Sequence, residues 1–306
     1  MAESVLAVIE LDNFPETVAA RAAWLAARFG LELELMFSDP SLGVLRDSFI
    51  VSNQAQLIAD DIAAAQQRIL DELGGTVAAS GLTIRTFVSH DRPAADAIVS
   101  RAIEREPHFV VKGTQYHSPA ERATFAYTDW RLIRKLTVPL WLVKPRDFQD
   151  QPVIVAAVDP THRHDREGVL DQRIVDAGKS LASRCGGRLL LLHTYERLVE
   201  IGRHAALSFK PVKLPIEELD SEIRDMHRGR LDALAAANDI PEDDVHQLPG
   251  RAHEILPAFA RAHGADVVIM GALARTGLNH RVVGSTAERV LDHLPCDILI
   301  VHSGAH

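Results

Sequence analysis

The chain has 306 residues, of which 47% are hydrophobic and 25% are charged. At roughly 100–200 residues per domain this length predicts two domains, and the composition excludes a disordered or fibrous protein. The formal net charge of −9 is divided almost evenly, with −5 in residues 1–150 and −4 in residues 151–306, so neither half carries the clustered cations that nucleic-acid binding requires.

The compartment can be inferred from what the chain lacks. No apolar run approaches the roughly 20 residues of a membrane span, and we expect no transmembrane helix. The first residues do not form a basic stretch followed by an apolar one, so we expect no secretory signal. The two cysteines, Cys185 and Cys296, are too few for a disulfide framework and favour a reducing environment. These features predict a cytoplasmic protein.

Apolar strands alternate with amphipathic helices along the whole chain. In the first half, the predicted order is strand 5–9, a helix ending at Gly30, strand 31–37, helix 55–73, strand 84–88, helix 94–105 and a strand–helix–strand segment in 109–144. In the second half, it is strand 153–158, a helix ending at Gly186, strand 188–192, helix 217–237, strand 245–248, helix 253–263 and a strand–helix–strand segment in 267–302.

The two halves repeat one another. Residues 109–144 and 267–302 align without a gap: each segment has an apolar strand ending in glycine, a polar loop, a helix, a proline and a second apolar strand. The glycines are Gly113 and Gly271, and Thr128 aligns with Thr286 further along. An internal repeat of this length predicts two copies of one domain.

Each repeat is predicted to contain five strands and four helices. The strands are continuously apolar, which is typical of a parallel sheet covered by helices on both faces. Because crossovers between parallel strands are right-handed, the predicted fold class is α/β, with two tandem doubly wound five-stranded parallel-sheet domains. We place these domains at residues 1–146 and 152–306, joined by a short polar linker.

The loop after the fourth strand of the second repeat is the candidate ligand site, because open parallel sheets bind ligands at the carboxyl ends of their strands. Gly271 precedes this loop, Gly284 ends it, and Ser285 and Thr286 open the next helix. Glycines allow close approach to the backbone, and a helix N-terminus attracts phosphate. The alternative is that Ser285 only caps the helix, with Glu288 completing a capping box.

A metal site is the weaker hypothesis. His162 and His164 follow the first strand of the second repeat and offer zinc ligands at alternating positions, with Asp165 as a further ligand. No CxxC or HExxH spacing completes such a site, and we favour a solvated loop. The chain also lacks a GxxxxGK[ST] phosphate loop and a GxGxxG segment after either opening strand, so it does not carry the patterns of P-loop or classical dinucleotide binding.

The tandem arrangement and the segment Gly271-x2-Ala274-x9-Gly284-Ser285 resemble the universal stress protein family and its nucleotide motif G-x2-G-x9-G-[ST]. The resemblance covers essentially the whole chain. It implies a site for ATP or another adenine nucleotide, with an aspartate at the end of the first strand on the base or ribose side. The residues that it assigns to this site, with their immediate neighbours, are Asp159, Gly271, Ala274, Arg275, Gly284, Ser285 and Thr286.

Differences from the motif predict unequal repeats. Ala274 replaces the second glycine and brings a Cβ where the backbone should approach the ligand, so we expect weak binding, with Arg275 supplying a cation in part compensation. In the first repeat, Ala126 and Tyr127 stand where the second has Gly284 and Ser285, and the first strand ends in glutamate. We therefore expect nucleotide in the second domain only.

The resemblance implies a stress-response protein that acts through ligand or protein-partner binding rather than catalysis. Two alternatives stay open: a nucleotide-hydrolysing enzyme that uses the second domain, and a binding module for an apolar or lipid-like ligand. The resemblance also implies that the two domains pair within one chain through their fifth strands, 140–143 and 298–301, whose apolar edges would otherwise favour aggregation. Further homodimerisation stays open.

Overall fold

The structure is a computed structural model that describes residues 4–40, 42, 53–78, 81–114, 128–161, 169–197, 216–271, 273–276, 280–283 and 285–302. The chain divides between Asp147 and Phe148 into two compact units, which we call the first and second units. Each contains a five-stranded parallel sheet whose strands alternate with helices. The predicted fold class, two tandem doubly wound α/β domains, is therefore confirmed.

The first unit follows the predicted order. Its strands are β1 (Ser4–Ile9), β2 (Glu32–Ser38), β3 (Ile84–Ser89), β4 (Phe109–Gly113) and β5 (Leu140–Val143). Its helices are α1 (Pro15–Phe29), α2 (Asn53–Val77), α3 (Ala94–Arg105) and α4 (Thr128–Lys135). The strands lie in the order β3-β2-β1-β4-β5, so the direction of winding reverses between β1 and β4.

The second unit repeats this arrangement. Its parallel strands are β6 (Val153–Ala157), β7 (Arg188–Tyr195), β8 (Val245–Pro249), β9 (Val267–Gly271) and β12 (Asp297–Val301). Its helices are α5 (Val169–Cys185), α6 (Ile216–Ala237), α7 (Ala252–Ala262) and α8 (Ser285–His293). The order is β8-β7-β6-β9-β12, so winding reverses between β6 and β9.

Helix α1 shows how sequence signals set an element. Pro15 occupies its first turn, where the missing N–H costs no hydrogen bond, and Gly30 ends it in the left-handed conformation at φ 69°. Between them Val18 and Leu25 are fully buried against the sheet. Burying one such side chain contributes roughly 1.5–3 kcal/mol, so the apolar face of α1 holds it in place.

The segment after Gly271 differs from the prediction. We expected a polar loop, but an antiparallel ribbon is present, formed by β10 (Leu273–Thr276) and β11 (His280–Val283). Leu273 pairs with Val283 and Thr276 with His280. The loop prediction was wrong because paired backbone groups satisfy their hydrogen bonds without the long apolar run by which we recognised strands.

Both cysteines are buried and neither forms a disulfide; Cys185 lies at the end of α5 and Cys296 just before β12. The tryptophan Trp141 on β5 is fully buried, with its ring edge-on to Phe109 at a centroid distance of 6.2 Å, and belongs to the core. In the described part of the chain, no helix combines the length and apolar character needed to cross a membrane.

We expect acid to destabilise the second unit partly through His246 on β8. Burial, followed by the nearby His263, lowers the pKa of His246, whose ring lies 5.0 Å from that of Phe259. Below the ordinary histidine pKa of about 6.5 the unfolded chain takes up this proton before the folded chain does, so stability falls as the pH drops from there through the lowered pKa. The change is measured as the urea midpoint at about pH 7.5 and about pH 5.

The variant His246→Gln should lose less stability on acidification than the wild type. The matched variant His253→Gln, on α7 beside Glu254, should keep the full acid-induced loss. An unchanged loss in His246→Gln would contradict the assignment to this side chain.

Candidate functional site

The reversal of winding in the second unit brings two of the predicted site residues, Asp159 and Gly271, to one edge of the sheet. Strands β6 and β9 are hydrogen-bonded neighbours, with Ala156 opposite Ile269. Asp159 lies three residues beyond Ala156, and Gly271 lies two residues beyond Ile269. Both therefore lie at the carboxyl ends of adjacent parallel strands, the position where ligands bind in sheets of this type.

Asp159 is half-buried and held in a defined turn. Its backbone N–H donates to Asp171 Oδ1 at 2.9 Å, and its own Oδ1 accepts hydrogen bonds from the hydroxyl and the N–H of Thr161. Asp171 is buried in the first turn of α5. Our sequence analysis missed Asp171, although an acidic residue in a first helical turn is a recognisable signal.

Gly271 has a packing reason to be glycine. A Cβ at this position would lie 2.5 Å from Leu170 Cδ2, closer than carbon atoms approach. Leu170, in the first turn of α5, thus uses the space above the end of β9. The absence of a side chain at Gly271 is explained by this contact even before any ligand is considered.

The other motif residues follow Gly271 in sequence. Ala274 and Arg275 lie in β10, where they pair with Val282 and Arg281. Ser285 and Thr286 are the first residues of α8. Gly284 and these four side chains lie outside the described residues, so capping by Ser285 and its contact with a ligand both remain predictions. His162, His164, Asp165, Ala126 and Tyr127 also lie outside the described residues.

A buried histidine pair lies beside this edge. His193 on β7 and His227 on α6 are each 2% exposed, and His193 Nε2 is 2.7 Å from His227 Nδ1. His193 Nδ1 is 3.0 Å from the carbonyl oxygen of Val158. A carbonyl only accepts, so His193 Nδ1 carries a proton, and in the neutral ring His193 Nε2 then accepts the proton on His227 Nδ1. The pair thereby anchors the residue that precedes Asp159.

The sequence contains a signal for this pair that we did not use. His193 interrupts the apolar run of β7, and a polar side chain inside a buried strand needs a specific hydrogen-bond partner. The partner itself could not be identified, because His227 is 34 residues away on an exposed helix pattern.

Two exposed arginines donate to backbone carbonyls that follow β12 and β6. Arg173 Nη1 on α5 is 2.9 Å from the oxygen of His302, which follows β12. Arg230 Nη1 on α6 is 3.2 Å from the oxygen of Thr161. Cations at the carboxyl ends of the strands raise the local concentration of anionic ligands. The edge therefore combines one half-buried carboxylate, Asp159, with two guanidinium groups.

The corresponding edge of the first unit holds a buried ion cluster, which we call the Lys112 triad: Lys112, Glu10 and Asp129. Lys112 Nζ is 2.7 Å from Glu10 Oε2 and 2.8 Å from Asp129 Oδ1. The side chain of Lys112 is 4% exposed, that of Asp129 7% and that of Glu10 29%. Burial alone would lower the pKa of Lys112, but the charges of Asp129 and Glu10 outweigh it and raise the pKa.

Neighbouring polar groups complete this cluster. Lys112 Nζ also donates to the carbonyl oxygen of Gly113 at 3.0 Å, and Thr114 Oγ1 donates to Asp129 Oδ2 at 2.9 Å. Asn13 Nδ2 reaches both Glu10 Oε2, at 2.9 Å, and the oxygen of Gly113, at 2.8 Å. Our sequence analysis assigned no role to Lys112, although a lysine inside an apolar strand signals a buried ionic partner.

Among the described residues, no group of three or more histidine, cysteine, aspartate or glutamate side chains is placed to hold a metal ion. The histidine pair donates and accepts within itself and to Val158, and the carboxylates of the Lys112 triad surround an ammonium group.

Comparison with known proteins agrees with this architecture. The model of the universal stress protein family matches residues 1–144 and 153–302. Universal stress protein E of Salmonella typhi is 26% identical over 309 residues, covering 98% of this chain and 94% of that protein. The Haemophilus influenzae homolog is 25% identical, covering 97% of this chain and 96% of that protein.

Solved structures show the same fold. A functionally unknown protein from Pseudomonas aeruginosa PAO1 has a TM-score of 0.68 at 21% identity, covering 98% of this chain and 92% of that one. A universal stress protein from Archaeoglobus fulgidus has a TM-score of 0.65 at 16% identity, covering 98% and 96% of the two chains.

Proposed function

This chain belongs to the universal stress protein family, with two tandem copies of the domain, and from that premise we propose that its second unit binds ATP or another adenine nucleotide weakly and that its first unit does not. The protein would act in the stress response through ligand or partner binding rather than catalysis. We place it in the cytoplasm, a proposal supported by two buried cysteines that do not form a disulfide.

The observation that carries this proposal is that Asp159 and Gly271 lie together at one edge of the sheet. Arg173 and Arg230 donate to backbone carbonyls at the same edge. A nucleotide needs a polar partner for its sugar or base and a positive environment for its phosphates. Asp159 supplies the first, and the arginines, together with the N-terminus of α8, supply the second. The motif residues Arg275, Gly284, Ser285 and Thr286 would contact the phosphates.

Calorimetric titration of the full chain with ATP tests the site. Ala274→Gly should strengthen binding, because it removes the Cβ that obstructs approach to the backbone, whereas Gly284→Val should abolish it. We expect each change to be at least about tenfold in affinity, which corresponds to ~1.4 kcal/mol. Asp159→Ala should also weaken binding.

Gly229→Ala is the matched control for these substitutions. It lies in the middle of α6, where an added Cβ meets no atom within 4 Å, and it should bind ATP like the wild type. Tight ATP binding that Gly284→Val leaves unchanged would show that the site is elsewhere. If neither the wild type nor Ala274→Gly binds an adenine nucleotide, the proposal is wrong.

Incubating the protein with ATP distinguishes binding from hydrolysis, if the rate of ADP release is compared with the rate in buffer alone. We expect no release, since the described carboxylates at this edge are engaged: Asp159 accepts from Thr161, and Asp171 accepts from the backbone of Asp159. Sustained ADP release that Asp159→Ala removes would establish the hydrolase alternative. Native mass spectrometry of the purified protein would reveal a co-purified apolar ligand in place of nucleotide.

A further inference from the structure

We propose that the Lys112 triad prevents nucleotide from binding to the first unit. The residue at position 112 and its counterpart in the second unit, Met270, then determine which of the two units binds a ligand. The proposal rests on nucleotide binding by the second unit. It assigns a specificity-determining role to Lys112 and Asp129, which are close in sequence to the motif positions but are not among them.

The two units can be compared residue by residue. Aligning β4 with β9 superimposes Val111 on Ile269, and the strands beside them pair through Ala7 and Ala156. Continuing along each strand, Glu10 corresponds to Asp159. In the alignment of the two motif glycines, Lys112 and Met270 immediately precede the glycine, and Asp129 and Ala287 both follow it by 16 positions.

Two members of the triad are therefore replaced by apolar residues in the second unit. Met270 and Ala287 are both buried, at 7% and 4% exposure. The carboxylate at the end of the first strand is kept as Asp159, but no lysine stands at the position from which Lys112 reaches Glu10. Asp159 Oδ1 instead accepts hydrogen bonds from Thr161, two residues further on, and no ion pair of Asp159 is present among the described residues.

The triad opposes a nucleotide in two ways. It carries two carboxylates against one ammonium, so its formal charge is −1, which repels phosphate groups. It also occupies hydrogen-bonding groups at the ends of the strands, because Lys112 and Asn13 both donate to the carbonyl oxygen of Gly113. A ligand would have to break a buried ion pair before it could contact Glu10, and breaking such a pair is costly.

Transplanting the triad tests this inference. The double variant Met270→Lys with Ala287→Asp copies Lys112 and Asp129 into the second unit and should engage Asp159 internally. We expect ATP binding to the full chain to weaken at least about tenfold, with the circular dichroism spectrum unchanged. The conservative double variant Met270→Leu with Ala287→Ser should bind ATP as the wild type does.

The outcomes separate the two proposals. If the double variant Met270→Lys with Ala287→Asp is folded and binds ATP as well as the wild type does, the specificity-determining role of the triad is wrong. If the wild type has no affinity for any nucleotide, the proposed function is wrong. If the double variant does not fold, Met270→Lys alone is tested with the same expectation, because its ammonium should pair with Asp159 as Lys112 pairs with Glu10.

The triad itself has a readout that needs no nucleotide. Acetylation of the intact protein with an amine-reactive ester, followed by peptide mass spectrometry, should modify Lys112 at least about tenfold more slowly than Lys135, whose side chain is 45% exposed. In Asp129→Asn, Lys112 should be modified faster than in the wild type. Equal rates for Lys112 and Lys135 in the wild type would contradict the buried triad.

Discussion

Replacing Lys112 with methionine is expected to destabilise the first unit by about 3–5 kcal/mol, because removal of one partner leaves a buried charge without compensation. The stranded group is Asp129, 7% exposed and facing the space where the ammonium stood. Glu10, at 29% exposure, recovers more of its hydration and contributes less to the loss. The change is measured as the free energy of unfolding in urea, followed by a probe that resolves the two units.

The control uses the residues that the second unit itself carries. Lys112→Met combined with Asp129→Ala reproduces the pair Met270 and Ala287 and should recover most of the lost stability, since no buried charge is then left unpaired. Asp129→Ala alone leaves the buried ammonium with Glu10 but removes its second carboxylate, and should also destabilise. The coupling energy from this double-mutant cycle should exceed about 1 kcal/mol. Additive effects of the two substitutions would show that Lys112 and Asp129 do not interact.

Gly113→Ala is expected to destabilise the first unit by about 1–3 kcal/mol through overpacking. A Cβ at Gly113 would lie 2.7 Å from the backbone oxygen of Asn13 and 2.9 Å from its side-chain Cγ. The backbone of Asn13 cannot rotate away, and its amide is bound to Glu10 and to the carbonyl of Gly113. The equivalent change Gly271→Ala should cost less, because the atom it meets, Leu170 Cδ2, ends a flexible side chain.

Gly75→Ala provides the matched control within the first unit. Gly75 lies in α2, where an added Cβ meets no atom within 4 Å, so alanine should be neutral or stabilise by roughly 0.5–1 kcal/mol. Chemical denaturation of the three variants should rank them Gly113→Ala, Gly271→Ala and Gly75→Ala, from most to least destabilised. If Gly113→Ala is as stable as Gly75→Ala, the inference that Asn13 packs too closely on Gly113 to admit a Cβ is wrong.

The sequence by itself determined the fold class and the repeat. Continuously apolar strands, apolar helix faces and helix-ending glycines such as Gly30 are local signals that act over one element, and they are strong because each element must bury one face. The alignment of the segments that follow Gly113 and Gly271 added the tandem organisation. The weak point was the segment after Gly271, where a short ribbon forms by backbone pairing with little apolar signal.

The candidate edge was only partly accessible from sequence. Because the end of every parallel strand lies at the same side of its sheet, the order of strands is enough to bring Asp159 and Gly271 to one edge. Their side-chain contacts depend on residues far along the chain or on other elements: Arg230 reaches Thr161 across 69 positions, and Asp171 reaches back from α5. Propensity and spacing carry no information on such partners.

The difference between the two units was decided by tertiary structure. In sequence, Lys112, Glu10 and Asp129 are three ordinary charged residues separated by up to 119 positions. Only the parallel pairing of β1 with β4, and the position of α4, bring their charges within 3 Å in a buried environment. Electrostatic energy depends on distance and on exclusion of water, and neither is encoded locally. The sequence therefore specified two similar domains. The three-dimensional arrangement paired the charges at the edge of the first unit with one another, and placed Asp159 near two arginines at the edge of the second unit.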